Sequence, residues 1–253
     1  MINVQFHHCP IPSTSYSEFI FGMNLTRIEG LYIVNGISEE KTLREGQFEG
    51  LETLSKLILI QNDFETIHEN VFKNISNLLE LRIQNNDVHQ LNREIFIPLS
   101  QLTDLELEQI NIKELPDGLF DPLKDLKYIK IRVKSKLTPN TWKINDKLKI
   151  IQIIDLDASQ LSNEWSPFQN APNLENVTIS GTGFGYLPKN LFMNNPKLEH
   201  FIWTLDRCLG TEPACNYTLE SFVKNLKNLK TFRIGECKEK IADMTEAFID
   251  FLL

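Results

Sequence analysis

The sequence has few of the residues that mark collagen-like, low-complexity or membrane-spanning chains. Its 253 residues include only eleven glycines and eleven prolines, which excludes a collagen-like or linker-like chain. Its apolar runs all fall short of the roughly 18 residues that a transmembrane helix needs. With 42% hydrophobic and 24% charged residues, the composition is that of a folded globular chain. The formal net charge of −8 gives no general attraction for phosphate backbones, so nucleic acid is not an expected partner.

Sequence motifs for catalysis are also missing. The five histidines are scattered, and the sequence contains no Gly-rich phosphate loop, nucleophile elbow or His-Glu-x-x-His zinc motif. His7, His8 and Cys9 are adjacent, but a fourth metal ligand is missing from their vicinity. We therefore expect no enzymatic activity, no cofactor and no metal site.

One motif is repeated along almost the whole chain. Leu54, Leu57 and Leu59 form a Leu-x-x-Leu-x-Leu motif, and Asn62 follows three residues after it. The motif recurs with a step of 24 residues through four successive copies, and looser copies continue on both sides. A fixed period of this length is typical of solenoid proteins. The copies, about nine in all, start at Ile28, Leu54, Leu78, Leu102, Leu126, Leu148, Leu174, Leu198 and Leu229.

The motif and its spacing resemble the leucine-rich repeat. This resemblance implies an α/β repeat solenoid with parallel strands on the concave face and irregular or short helical segments on the convex face. Within the motif, leucine alternates with variable residues, and this period of two indicates a short strand with one buried face. The repeats would occupy residues 28–253, with the last one truncated or uncapped, and residues 1–27 would form an N-terminal flank or partial cap. Strands are predicted near Leu57, Leu81, Leu105, Ile129, Ile151, Val177, Phe201 and Phe232.

An asparagine follows the first two regular motifs. Asn62 and Asn86 occupy the position that usually carries asparagine in this family. There the side-chain amide satisfies backbone groups of the turn that would otherwise be buried without partners. Most later copies have other residues at this position, so the expected ladder of asparagines is incomplete.

Several segments carry a closer resemblance than the repeat alone. Leu115–Phe120 and Leu187–Phe192 are Leu-Pro-x-x-Leu-Phe segments, which are similar to the 24-residue repeats of extracellular receptors and matrix proteins. Together with the opening segments Val4–Pro12 and Gly22–Arg27, these repeats resemble the N-terminal ectodomain of insect Toll receptors. The resemblance implies the ligand-recognition portion of a Toll-like receptor in innate immune or developmental signalling.

That resemblance also implies a particular set of partners. The ligand would be a secreted protein, a cystine-knot cytokine if the chain is Toll-like, and the receptor could act as a dimer. The membrane span and the signalling domain would lie in segments that this sequence lacks. A secreted leucine-rich scaffold or matrix protein without a signalling domain remains an alternative, as does a truncated gene copy.

Glycosylation sequons and cysteines agree with an extracellular or cell-surface location. Cys208 and Cys215 lie close together in an enlarged repeat and are predicted to form a disulfide in an oxidising compartment. Alternatively, the two cysteines are unpaired thiols or a pair of metal ligands. The Asn-x-Ser/Thr sequons, expected sites of N-glycosylation, start at Asn24, Asn74, Asn176 and Asn216.

The candidate binding surface is the concave face, where the variable residues of the motif point away from the core. Acidic residues, including Glu106, form one stripe, and basic residues, including Lys130, form the next. Opposed stripes beside aromatic residues indicate a protein-binding face, although a solubilising surface could show the same alternation. A glycan on Asn176 would block partners from the concave face of repeats six to eight. Binding is therefore expected on repeats one to five. The predicted partner-binding residues are Lys56, Arg82, Asp104, Glu106, Lys127, Tyr128, Lys130 and Arg132.

Overall fold

Short strands recur along the chain and are separated by turns. The computed structural model describes residues 2–25, 27–37, 39–110, 112, 115–133, 137–143, 145–157, 164–182, 188, 190–207 and 226–234. The helical elements of this part are α1 (Tyr16–Gly22) and two 3-10 helices, Arg93–Phe96 and Pro139–Trp142. Its strands are β1 (Asn3–His7), β2 (Gly30–Val34), β3 (Thr42–Leu43), β4 (Lys56–Ile60), β5 (Thr66–Ile67), β6 (Glu80–Gln84), β7 (Asp104–Glu108), β8 (Tyr128–Arg132), β9 (Ile150–Asp157), β10 (Asn176–Thr182), β11 (His200–Arg207) and β12 (Thr231–Ile234).

Ten of these strands stack into one sheet in chain order. The order is β1-β2-β4-β6-β7-β8-β9-β10-β11-β12, and the pairings are parallel, as in β4 with β6. The short strands β3 and β5 form a separate two-stranded parallel sheet in the connecting segments. Leu57 and its predicted counterparts through Phe232 are each the second residue of a strand. The predicted leucine-rich repeat solenoid with parallel strands is therefore confirmed.

The core is built from alternate residues of each strand. In β6, Leu81 and Ile83 are buried, whereas Glu80, Arg82 and Gln84 are half-buried on the opposite face. The register places equivalent leucines of neighbouring strands side by side, so they join one continuous hydrophobic cluster. A single repeat has no second layer to cover this face, so each turn depends on its neighbours for stability.

Aromatic rings from the connecting segments fill the space behind the strands. Phe48, Phe72, Phe96, Phe120 and Trp142 are fully buried. The ring centroids of Phe48 and Phe72 are 6.2 Å apart, and those of Phe120 and Trp142 are 5.6 Å apart. These distances are in the range where aromatic pairs stabilise a core by about 0.5–1.5 kcal/mol beyond their area burial.

The two predicted asparagines form a buried hydrogen-bond ladder. Asn62 Nδ2 donates to Ile33 O at 3.0 Å, and Asn62 Oδ1 accepts from Gly36 N at 2.8 Å. One repeat later, Asn86 Nδ2 donates to Leu59 O at 3.2 Å, and Asn86 Oδ1 accepts from Asn62 N at 3.0 Å. The structure confirms that these amides satisfy backbone groups of adjacent turns.

The N-terminal segment contributes the first strand of the sheet. β1 pairs with β2 through the whole of its length, from Asn3 opposite Gly30 onward. Helix α1 follows, capped by Ser15, whose side chain accepts a hydrogen bond from Ser17 N at 3.1 Å. The assignment of residues 1–27 to a flank separate from the repeats stays a prediction, but β1 extends the same sheet into that flank.

The strand pairing becomes irregular at β10. The register with β9 shifts between Ile179 and Gly181, and the register with β11 shifts between Gly181 and Thr182. Gly181 has a φ of +144°, and a Cβ atom there would lie 2.2 Å from Leu156 O. Only glycine fits this backbone conformation and this close approach of two strands.

Candidate binding surface on the concave face

The outward side chains of β4, β6, β7 and β8 form regular rows across the concave face. Adjacent strands in a sheet lie about 4.8 Å apart, so long side chains in one row reach the next strand. Opposite charges are neighbours in two of these rows, and in the row of Arg82, Glu106 and Lys130 they alternate. The rows are Lys56, Glu80, Asp104 and Tyr128; Ile58, Arg82, Glu106 and Lys130; and Ile60, Gln84 and Glu108.

Glu80 and Arg82 link three strands through ion pairs. Lys56 Nζ on β4 lies 2.7 Å from Glu80 Oε2 on β6. Arg82 Nε donates to Glu80 Oε1 at 2.6 Å, and Arg82 Nη1 lies 3.5 Å from Glu106 Oε1 on β7. Positive and negative side chains therefore alternate across the surface in the order Lys56, Glu80, Arg82 and Glu106.

Glu106 and Glu108 extend this arrangement to β8. Gln84 Nε2 donates to Glu106 Oε2 at 2.7 Å and to Glu108 Oε1 at 3.2 Å. Lys130 Nζ lies 2.7 Å from Glu108 Oε1. Glu106 is only 7% exposed, so its charge is screened by solvent less than that of a surface carboxylate. We refer to Lys56, Glu80, Arg82, Gln84, Glu106, Glu108 and Lys130 as the concave charge network.

Tyr128 lies beside this network at the start of β8. Its burial and, to a smaller extent, the Glu106 carboxylate raise the pKa of Tyr128 to about 12. The hydroxyl therefore stays protonated at physiological pH, and it donates to Gln152 Oε1 on β9 at 3.5 Å. Tyr128 presents a half-buried ring and a polar tip, a combination that is enriched in protein interfaces.

The remaining predicted binding residues lie around the network. Arg132 Nη1 lies 3.0 Å from Asp155 Oδ2, and Asp104 Oδ2 accepts from Thr103 Oγ1 at 2.5 Å. Lys127 is exposed immediately before β8, and it makes no ion pair with the residues that the structure describes.

The predicted stripes thus lie side by side, but their charges are largely paired with each other. Sequence reasoning missed Glu80, Gln84, Glu108 and Asp155 as partners of the predicted residues. For Glu80 the signal was present in the period, since Lys56 and Glu80 occupy equivalent positions of successive 24-residue copies. The contacts of Lys130 with Glu108 and of Arg132 with Asp155 join positions that are not equivalent, so the period does not give them.

The predicted modification sites are spread over the surface. Asn24 is exposed in a turn after α1, and Asn74 is half-buried in a connecting turn. Asn176 is half-buried on β10 and points to the concave face. Asn216 and the predicted Cys208–Cys215 pair lie outside the described residues.

The described residues contain no group of three or more His, Cys, Asp or Glu side chains arranged to hold a metal ion. None of the helices in this part of the chain has the length and apolar character needed to cross a membrane.

A family model covers most of the chain. The model, described as "BspA type Leucine rich repeat region", matches six copies over residues 41–154 and 145–248. The match includes β4 through β12 and therefore all strands of the concave charge network. No curated protein matches the sequence significantly.

Several solved structures are similar in fold. The complex of TLR13 with ssRNA13 matches 91% of this chain at 20% identity with a TM-score of 0.69. The glycosylated Drosophila Toll–Spatzle complex matches 80% of this chain at 18% identity with a TM-score of 0.68. The leucine-rich repeat protein LIC12759 of Leptospira interrogans matches 94% of this chain and 57% of its own at 16% identity, with a TM-score of 0.63.

These similarities are structural rather than close in sequence. The matched region is 33% of the chain in the TLR13 complex and 27% of the chain in the Toll–Spatzle complex. At such low identity they show a shared solenoid fold and leave the ligand of this chain to be argued from its own surface.

Proposed function

This chain belongs to the BspA type leucine-rich repeat family, and on that premise we propose that it is the ligand-recognition part of a Toll-like receptor ectodomain. It acts by binding and not by catalysis. In this proposal the chain is extracellular, serves innate immune or developmental signalling, and bears N-linked glycans on its sequons and a disulfide between Cys208 and Cys215.

The concave charge network is the observation that supports this proposal most strongly. Its side chains are held in place by ion pairs and hydrogen bonds across four strands, so little conformational freedom remains to be lost on binding. The surface is open, polar and extended, as expected for a protein partner and unlike the concave, mostly apolar pockets that bind small molecules.

The partner we propose is a secreted protein of the cystine-knot class. Solved neighbours include Toll with Spatzle and TLR13 with ssRNA13, so both a protein and an RNA are candidates by fold alone. On this chain the concave basic residues are mostly engaged by carboxylates, and the net charge is −8. A surface of this kind favours a protein with complementary charges over a phosphate backbone.

Lys127→Glu with Lys130→Glu tests the charged surface as a binding site. We expect association with Spatzle to slow by about tenfold at low salt and to become less salt-dependent, because exposed charges act mainly on the association rate. Lys130→Glu also breaks the half-buried pair with Glu108 and places a carboxylate beside it, which costs about 2 kcal/mol, so the melting temperature should fall by about 4–8 °C. The measurements are surface plasmon resonance at several salt concentrations and thermal melting.

Lys41→Glu with Lys73→Glu is the matched control, since both lysines are exposed, ion-paired and remote from the concave face. This variant should associate within about twofold of the unmodified chain. Unchanged kinetics for the Lys127 and Lys130 variant would remove the concave surface from the binding site. Binding of single-stranded RNA with no binding of Spatzle would overturn the proposal itself.

A further inference from the structure

A second charged surface lies away from the strands, in the connecting segments that precede β8, β9 and β10. These segments enclose an open cleft of about 640 Å³. Lys124, Lys143 and Lys147 line it, and Asp146 is its one carboxylate among the residues that the structure describes. The cleft spans three successive turns of the solenoid and none of the predicted binding residues line it.

The lysines of this cleft differ from those of the concave charge network. Lys147 pairs with Asp125, but Lys124 and Lys143 are exposed and make no ion pair with the described residues. The nearby Asp117 is already held by Thr138 and Asn140, whose hydrogen bonds, more than the charge of Lys143, lower the pKa of that carboxyl group. In a chain with a net charge of −8, the lining of this cleft thus has three lysines against one carboxylate, that of Asp146.

The rest of the lining is neutral, and two of its three residues are polar. Asn170 Nδ2 donates to Pro139 O at 3.0 Å, so the orientation of its amide leaves Oδ1 as an acceptor. Gln169 Oε1 accepts from Ser166 Oγ at 3.4 Å, which leaves its Nε2 as a donor. Pro172 completes the lining and is its apolar member. Amides of this kind can hydrogen-bond hydroxyl groups next to anionic groups.

The lining residues distinguish between classes of anion. Single-stranded nucleic acid is usually bound by aromatic rings that stack on bases, and the described lining has no aromatic residue. Phosphopeptides are usually bound by the guanidinium groups of arginine, which this lining also lacks. An acidic peptide would need apolar anchor pockets, and Pro172 alone does not form one.

We propose that this cleft binds a sulfated polysaccharide. The ammonium groups of Lys124 and Lys143 pair with sulfates spaced along the polymer, Lys147 adds its charge from its pair with Asp125, and Gln169 and Asn170 bond hydroxyl groups of the polymer. Because the site spans neighbouring turns, a linear polyanion engages all of it at once. The site is separate from the concave charge network, so it gives the chain a second interaction that does not compete with a protein ligand.

Lys124→Gln with Lys143→Gln tests this site with heparin as the probe. We expect the affinity for immobilised heparin to fall by at least about tenfold, since each lost charged contact removes a charge-assisted hydrogen bond. The salt dependence should flatten as well, because fewer counterions are displaced on binding. Both side chains are exposed, so the melting temperature should not change.

Lys41→Gln with Lys73→Gln serves as the matched control, because it removes the same charge from two exposed lysines far from the cleft. Its heparin affinity should fall by less than about threefold. Asp146→Asn should act in the opposite direction and strengthen heparin binding by about threefold, since it removes the carboxylate that repels sulfate. Variants of the cleft should bind Spatzle like the unmodified chain, so failure here and failure of the receptor proposal are distinguishable.

Three results would overturn the proposal. They are no heparin binding by the unmodified chain, equal losses in the cleft and control variants, and binding of single-stranded RNA with the same dependence on Lys124 and Lys143. The last result would assign the cleft to nucleic acid.

Discussion

Asn86→Ala should lower the free energy of unfolding by about 3–5 kcal/mol, although it removes only a small polar side chain. Asn86 Oδ1 accepts from Asn62 N, and Asn86 Nδ2 donates to Leu59 O and to Gln84 O at 2.8 Å. Alanine leaves Asn62 N, and Phe64 N at 3.4 Å, without this acceptor inside the solenoid, whereas Gln84 O still accepts from Gln61 N at 3.0 Å. Each buried unsatisfied group costs about 1–3 kcal/mol. Urea denaturation followed by circular dichroism measures the loss.

Asn77→Ala is the control for this change. Asn77 also donates from Nδ2 to the backbone of the preceding repeat, to Glu52 O at 2.8 Å, but it does so at the exposed surface. Water replaces that bond, so we expect a loss below about 1 kcal/mol. Equal losses for the two variants would show that burial of the ladder is not what makes Asn86 important.

Gly181→Ala should destabilise the chain by about 3–5 kcal/mol. The φ of +144° at Gly181 is a backbone conformation that residues with a Cβ atom rarely adopt. The added Cβ would also lie 2.2 Å from Leu156 O and 2.6 Å from Leu156 N, which are backbone atoms of the neighbouring strand β9. Relief requires β9 and β10 to separate locally, so hydrogen exchange in these strands should accelerate along with the drop in unfolding free energy.

Gly22→Ala provides a control of opposite sign. Gly22 is the last residue of α1, and a Cβ atom there would meet nothing within 4 Å. Alanine is favoured over glycine in helices, so a gain of up to about 1 kcal/mol is expected. A Gly181→Ala variant as stable as the unmodified chain would contradict the close approach of β9 and β10.

The strands could be predicted because their signal is periodic. Leu57 and Leu81 are 24 residues apart, and the same spacing separates equivalent residues of the next motifs. Each repeat therefore supports the strand register that is predicted for the next repeat. β1 was not predicted as a strand of the sheet, because Val4 and Phe6 alternate with polar residues but lack the leucines of the motif. An alternation of two apolar residues is too short a signal to identify a strand by itself.

A second group of buried asparagines was also missed. Asn145 Nδ2 donates to Phe120 O and Leu123 O. Two repeats later, Asn195 Nδ2 makes the equivalent bonds to Phe168 O and Ala171 O. Each lies three residues after a buried aromatic residue, and that spacing is the signal that could have found them. Residues at the same position elsewhere are apolar, such as Leu123, so the pattern is visible only once the turns are superimposed.

The charged residues of the concave face could be located from the sequence, but their pairing could not. Alternation placed Arg82, Glu106 and Lys130 on one face correctly. Which carboxylate each cation reaches depends on the orientation of long side chains: Lys130 lies opposite Glu106 in register but pairs with Glu108. Rotamers of this kind are set by packing in three dimensions and have no periodic signature.

The order of the sheet, which follows the order of the chain, has a mechanical consequence. Because the ten strands of the main sheet are joined neighbour to neighbour, from β1 to β12 without β3 and β5, tension applied between β1 and β12 passes through every strand interface in series. The extension is then shared among the interfaces, and the most weakly held one opens first. Among the described residues, β12 and β11 pair through four residues and share the His200–Thr231 hydrogen bond. β4, β6 and β7 pair through five residues at each interface and are also cross-linked by the ion pairs of the concave charge network. Under load, separation should start at the β11–β12 interface, while β4, β6 and β7 stay paired.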